Sequence, residues 1–239
     1  KFKCASLDRM VFDKVIFVGD SAHVVSPFGA RGGNGGMHDV DNLGWKLASI
    51  LKNNSSYKIL STYNDERIKA AKENIANSSR ATNFMTPKNK MAKIFRDQVL
   101  DLSVSNQFSR NLINSGRLSV PFKLGSLKLD NEFKDDPLLG SVYIDFPILD
   151  KKGNQLFLTD MITHGYNLLS FSETKLNFTI NLNIISVGEK NDKDIDFIDF
   201  EGRGLERYRK DLDYLIRPDG YIVGIFKNVS IKTLERYML

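Results

Sequence analysis

The chain has 239 residues, of which 41% are hydrophobic, 10% aromatic and 26% charged, a mixture that excludes both a disordered chain and a membrane bundle. Its net charge of +5 comes from 34 basic and 29 acidic residues, well mixed along the chain, so the one-sided basic run of a nucleic-acid binder is missing. A single cysteine, Cys4, excludes an internal disulfide, a CxxC redox pair and a cysteine-rich zinc site, and His23, His38 and His164 lack the spacing of a metal-binding helix.

The length suits one large domain or two small ones, at roughly 100–200 residues each. Two short strands open the chain, Phe2–Ser6 and Lys14–Val18. The second is a nearly continuous apolar run ending at Gly19-Asp20, as in a strand buried on both faces of an α/β sheet. A glycine-dense loop follows from Pro27 to Gly36. Apolar residues then recur at Met37, Val40, Gly44, Leu47, Ala48 and Leu51, and this period of about 3.6 predicts a helix over 37–51. The next helix should start near Thr62, where Thr62 and Asp65 have capping-box spacing, and run towards Phe84 before Pro87. Lys88–Leu102 reads as another helix, and Asn106–Asp136 as a connecting segment rich in Ser, Asn, Gly and Asp. Beyond Gly140, β-like runs fall at Ser141–Ile144, Asn167–Phe171, Asn181–Val187, Tyr214–Ile216 and Tyr221–Phe226, before a last helix over 230–239. The expected organisation is a helix-rich part at 1–105, a connection at 106–120 and a small α/β part at 121–239.

Chemistry concentrates in residues 19–48, GDSAHVVSPFGARGGNGGMHDVDNLGWKLA. A buried strand would deliver Gly19 and Asp20 to the carboxyl edge of a sheet, where open α/β sheets place their ligands. Gly19 allows close backbone approach, and the Asp20 carboxylate can accept two hydroxyl hydrogen bonds. Gly29, Gly32, Gly33, Gly35 and Gly36 expose backbone N–H groups ahead of a helix start, which carries about half a positive charge. Together these make a seat for an electron-rich or anionic ligand. A glycine turn that merely caps an ordinary helix is the plainer reading. No GxGxxG and no phosphate-binding loop occurs here, and GDSAH is not a nucleophile elbow because His23 stands where the last glycine should be.

The same segment resembles the second FAD-binding signature of class A flavoprotein aromatic hydroxylases, the group that includes phenol and para-hydroxybenzoate hydroxylases. Gly19, Asp20, Ala22, His23, Pro27, Gly29, Gly32, Asn34, Gly36, Asp39, Asn42, Leu43, Trp45, Lys46 and Leu47 fall in the family pattern. Ser21, Ser26 and Ala30-Arg31 depart from it without disturbing the spacing. Tyr63, Glu66 and Arg67 match the Tyr-x-x-Glu-Arg that begins the following helix. Weaker likenesses, at Gly116-Arg117-Leu118-Ser119, Gly140-Ser141-Val142 and Tyr214–Tyr221, point to the thioredoxin-like carboxyl-terminal domain of phenol-hydroxylase-type enzymes. The fold implied is α/β: the carboxyl-terminal part of a GR2-type FAD-binding domain, then a thioredoxin-like domain that lacks CxxC and so cannot run dithiol exchange.

The resemblance implies roles as well. Asp20 should hydrogen-bond the ribityl chain of FAD, with Gly19 giving clearance. Pro27 should border the flavin face where the reaction occurs, as the catalytic position. The backbone of Gly29, Gly32, Gly33 and Asn34 should meet the pyrimidine end of the flavin. Arg31 is either part of that contact or a solvated loop charge. His23, Asp39, Asn42 and Trp45 should be structural. The implied reaction is a monooxygenation: NAD(P)H reduces FAD, O2 adds to give a flavin hydroperoxide, and a phenolic or similar aromatic ring is hydroxylated. The expected partners are a small aromatic substrate and O2, with no nucleic acid, no transmembrane segment and homo-oligomerisation left open. The family's first FAD motif and its Asp-Gly motif do not occur in the sequence. With Lys at position 1 and no secretory signal, the expectation is the carboxyl-terminal portion of a longer cytoplasmic enzyme, inactive by itself. The rival expectation is a truncated, non-catalytic interaction or structural module.

Overall fold

The computed structural model describes residues 3–27, 31–113, 121–125, 132–172 and 180–238. Phe2, Gly29 and the Gly116–Ser119 likeness lie outside the described residues. The chain divides into two compact units, Lys1–Phe122 and Lys123–Leu239.

In the first unit β1 (Ala5–Ser6) pairs antiparallel with β4 (His23–Val24), and β2 (Val11–Phe12) pairs antiparallel with β3 (Val15–Ile16). The turn between β2 and β3 places Asp13 at a φ of 50°. Lys14–Val18 is therefore half of a two-stranded ribbon, and not the doubly buried strand expected. Ile16, Phe17 and Val18 lean on the core while Val15 is 55% exposed. An apolar run reads the same whether it is covered on one side or two, which is why the sequence alone misjudged it.

Helix α1 (Arg31–Asn53) starts six residues before the expected 37–51, inside the glycine run. Helix α2 (Ile59–Met85) begins before Thr62, whose hydroxyl donates back to the Ile59 carbonyl at 2.7 Å and caps nothing. Helix α3 (Lys90–Ser103) matches expectation and is capped by Asn89, whose Oδ1 accepts from Ala92 N at 2.8 Å. Helix α4 (Gln107–Ile113) occupies the start of the expected connecting segment, with Asn106 Oδ1 accepting from Phe108 N at 2.9 Å. The core of this unit is Met10, Leu43, Ile50, Ile59, Leu60, Tyr63 and their neighbours. Each such buried side chain contributes about 1.5–3 kcal/mol relative to exposure. The Tyr63 hydroxyl donates to the Phe17 carbonyl at 2.9 Å, pinning the segment before Gly19 onto α2.

The second unit holds a mixed sheet. Its strands are β5 (Pro147–Leu149), β6 (Gln155–Phe157), β7 (Asn167–Ser170), β8 (Asn183–Gly188), β9 (Phe197–Ile198), β10 (Asp213–Ile216) and β11 (Ile222–Phe226). They lie in the order β11-β10-β7-β8-β9-β5-β6. The β7–β8 and β8–β9 pairs are parallel, and the others antiparallel. Short α5 (Leu158–Met161) follows β6, and α6 (Ile231–Tyr237) follows β11, capped by Ser230. Strands β7, β8, β10 and β11 and helix α6 were legible from sequence. β5, β6 and β9 are two or three residues long and were not.

The β10–β11 turn is Arg217-Pro218-Asp219-Gly220, closed by Gly220 N donating to the Arg217 carbonyl at 2.8 Å with Gly220 at a φ of 79°. Phe171 stacks on Tyr208 at 5.5 Å, and Tyr208 meets Tyr214 edge-on at 5.0 Å, forming the aromatic centre of the core. The second unit is thus mixed α/β around one seven-stranded sheet, and residues 123–239 contain no cysteine.

Candidate active site

Helix α1 turns its polar side inward. Asp39 and Lys46 are fully buried, Asn42 nearly so, and Gly35, Leu43, Ser49 and Ile50 complete the inner face. Three residues of the apolar stripe that revealed the helix face outward, Met37 at 73% exposed, Val40 at 61% and Leu51 at 76%, while Leu47 of the same stripe packs on the core. Burying charges is costly unless each finds a partner, and here each does.

Asp39 Oδ2 accepts from Gly19 N at 2.9 Å and from His23 Nε2 at 2.7 Å, and Asp39 Oδ1 accepts from Arg67 Nε at 2.6 Å. Because the carboxylate can only accept, the His23 proton on this side sits on Nε2. Burial by itself would raise the Asp39 pKa. The His23 hydrogen bond, the Arg67 guanidinium and the Gly19 N–H outweigh it and hold the carboxyl below its ordinary value. Further along α1, Lys46 Nζ donates to Asn42 Oδ1 at 2.7 Å and to Glu66 Oε2 at 3.1 Å, and Asn42 Nδ2 donates to Glu66 Oε2 at 2.8 Å. His23, Asp39, Asn42, Glu66 and Arg67 thus bind β4, the Gly19 turn, α1 and α2 into one frame.

That frame sets the geometry of a groove. Gly19–Ser21 is a single 3-10 turn with Gly19 at a φ of 59°, where a side chain would be strained. A Cβ on Gly36 would sit 3.5 Å from Gly19 Cα, so the turn and the helix meet backbone to backbone. Beside this contact lies a groove of about 890 Å³, walled by Val18, Gly19, Gly33, Asn34, Gly36 and Met37, with Val40 and Asp41 further along. The volume is in the range of small-molecule and cofactor sites. A helix's first four N–H groups have no intrahelical acceptor, so the start of α1 presents donors here.

Of the residues singled out in the sequence, Gly19, Gly33 and Asn34 line the groove. Asp20 is exposed on the 3-10 turn next to Gly19. Pro27 is exposed at the end of the described stretch, and Gly32 is half-buried, with Val25 Cγ2 3.6 Å from where its Cβ would be. Arg31 is buried, its Nη1 donating to Asn74 Oδ1 at 2.7 Å on α2. Gly36, Met37, Val40 and Asp41 were not singled out as site residues. Their signal was the helical spacing from Gly33, which puts 33, 36, 37, 40 and 41 on one face.

FAD suits these residues. A polyol chain needs an exposed carboxylate acceptor, an electron-rich ring needs clustered N–H donors, and a flat ring system needs walls without side chains. Asp20, the start of α1 and the Gly19–Gly36 contact offer these in turn.

A scan against protein families matches residues 3–78 to the family described as FAD binding domain. The chain is also 33% identical over 96 residues to 3-(3-hydroxy-phenyl)propionate/3-hydroxycinnamic acid hydroxylase of Burkholderia cenocepacia, covering 40% of this chain and 18% of that one. The protein of the same name from Escherichia coli is 28% identical over 165 residues, 68% of this chain and 30% of that one. Among solved structures, aklavinone-11 hydroxylase in complex with FAD and aklavinone superposes with a TM-score of 0.71 at 21% identity, over 98% of this chain and 44% of that one. The flavin-dependent monooxygenase PieE in complex with FAD and substrate gives a TM-score of 0.69 at 16% identity, over 95% and 47%. At such identities the structural likeness shows the fold. The chain spans less than half the length of each of these proteins.

Proposed function

We propose that this chain works as part of an FAD-dependent monooxygenase that uses NAD(P)H and O2 to hydroxylate a phenolic or similar aromatic compound. The observation that carries this reading is the glycine-walled groove between the Gly19–Ser21 turn and the start of α1, inside the segment that matches the FAD binding domain family. Bound FAD would supply the redox and oxygen chemistry, which side chains cannot.

The chain's own residues hold and orient the cofactor. Asp20 accepts hydrogen bonds from ribityl hydroxyls, and Gly19 lets that chain approach the backbone. Gly32, Gly33 and Asn34 bring N–H groups and the positive end of α1 to the electron-rich edge of the ring, where preorganised dipoles favour developing negative charge. Arg31, anchored on Asn74, adds positive charge beneath that helix start. Pro27 borders the reacting face and contributes shape without an N–H donor. Met37 and Val40 give the groove an apolar wall that keeps water from the ring. The second unit, without cysteine, has a structural role. The aromatic hydroxylases among the relatives support a small aromatic substrate, and a cytoplasmic location belongs to the same proposal, since NAD(P)H would be drawn from that pool.

The test is spectroscopic and kinetic. The purified longer protein of which this chain is part should carry bound FAD with a flavin absorption spectrum, and its NAD(P)H oxidation should rise when a phenolic substrate is added, with hydroxylated product formed. A protein that neither carries nor takes up FAD would sink the reading and favour an interaction module.

A further inference from the structure

The first unit has a second hollow, of about 720 Å³, between the β2–β3 hairpin and the start of α2. It shares no wall residue with the groove at Gly19. Its floor is apolar, built from Val11, Ile16, Leu47 and Leu60. Its rim carries three cations, Arg9, Lys14 and Lys58, against one acid, Asp13, and all four are exposed.

The polar groups on the floor are already satisfied. Asn64 Oδ1 accepts from Met10 N at 2.8 Å, and Ser61 Oγ donates to the Lys58 carbonyl at 2.7 Å. A ligand's body therefore meets hydrocarbon there and displaces no needed hydrogen bond. The rim cations are different. The Arg9 guanidinium lies over the Phe12 ring at 5.4 Å, and no carboxylate pairs with Arg9, Lys14 or Lys58 among the described residues. A net excess of positive charge around an apolar basin selects for a molecule with an apolar body and an anionic head.

We propose that this hollow binds an amphipathic organic carboxylate, with its hydrocarbon on Val11, Ile16, Leu47 and Leu60 and its carboxylate between Lys14 and Lys58. The site is independent of the flavin reading, because its walls and its chemistry are separate from those of the groove.

The experiment is isothermal titration calorimetry of the protein with decanoate, kept below the concentration at which it forms micelles, and with acetate as the head group alone. One saturable decanoate site per chain is expected, weakened by salt, with acetate binding far more weakly. Lys14→Glu combined with Lys58→Glu should weaken decanoate by about tenfold or more, since two exposed charges are reversed. Lys14→Ala with Lys58→Ala should lie between, and serves if the reversal disturbs folding. Lys72→Glu with Arg80→Glu, exposed positions elsewhere on α2, makes the same change in net charge and should leave binding unaltered. No saturable decanoate binding, equal binding by the Lys14/Lys58 variants, or equal loss in the Lys72/Arg80 variant would each overturn the proposal.

Discussion

Arg67 on α2 and Asp39 on α1 form a buried ion pair of 2.6 Å, and Asp39 in the same arrangement holds the backbone N–H of Gly19 at 2.9 Å. The second helix therefore reaches the first turn of the candidate site through one carboxylate. Arg67 also donates to the Gly35 carbonyl at 3.3 Å, so the pair grips both sides of the Gly19–Gly36 contact.

Removing the charge from one partner should be costly. Asp39→Asn leaves Arg67 charged and uncompensated inside the protein, with an expected loss of about 3–5 kcal/mol in stability. The pH dependence follows from the direction of the Asp39 shift. Its folded pKa lies below the unfolded value, so its stabilisation is present above about pH 4 and is lost as pH falls through the folded pKa. Urea unfolding followed from neutral to acid pH checks both points. A loss under about 1 kcal/mol in Asp39→Asn would mean that the pair does not hold the frame.

The sequence announced α1 through the wrong face. Met37, Val40 and Leu51 gave the helical period, yet they are exposed, while Asp39, Asn42 and Lys46 are inside. Charges in a helix are normally read as a solvated face, and only a partner 20 to 28 residues away in sequence reverses that reading, as Glu66 does for Lys46 and Arg67 for Asp39. The family pattern did mark these residues, because it records such pairings without explaining them. The glycines of 32–36 were expected in a loop since glycine disfavours helices by about 1 kcal/mol each. Tertiary anchors, Arg31 on Asn74 and Asp39 on Gly19, offset that preference. Where local signals were complete, as at Asn89 or in Arg217–Gly220, the structure followed them.

Asp213 should make the second unit sensitive to rising pH. It is fully buried on β10, with Ser170 Oγ donating to Oδ1 at 2.6 Å. Burial raises its pKa, and the hydrogen bonds from Ser170 and from the Val229 backbone only partly oppose this. A raised folded pKa means that its contribution is complete below the ordinary carboxylate pKa of 3.8 and is lost as pH climbs through the folded value. Asp213→Asn keeps an acceptor for Ser170 and removes the titration, so its thermal unfolding midpoint should fall less than wild type between about pH 4 and 8. Parallel curves for the two proteins would show that Asp213 does not control this dependence.

Asp20 offers a direct probe of the cofactor. It is exposed on its turn, so Asp20→Ala should leave the fold intact. Each hydrogen bond to a charged acceptor is worth about 1.5–3 kcal/mol, which translates to roughly a 10- to 100-fold weaker hold on FAD. Quenching of flavin fluorescence on binding gives the two dissociation constants. Equal constants would remove Asp20 from the site.

Gly33 and Gly35 separate the needs of the fold from those of the ligand. A Cβ on Gly35 would lie 3.1 Å from His23 Cε1. His23 is buried and tied to Asp39 at 2.7 Å, so it cannot easily yield. Gly35→Ala should therefore cost about 1–3 kcal/mol of stability, the range for overpacking. At Gly33 a Cβ meets nothing within 4 Å, and the position is exposed on α1. Gly33→Ala should raise the stability of the protein without cofactor by about 0.5–1 kcal/mol, because alanine loses less backbone entropy in a helix. The same methyl group projects from a wall of the groove, where a flavin has to approach the backbone. FAD affinity should therefore drop in the variant whose stability rises. Chemical denaturation and flavin titration on both variants measure these opposed effects. If Gly33→Ala binds FAD as tightly as wild type, the start of α1 is not where the ring lies.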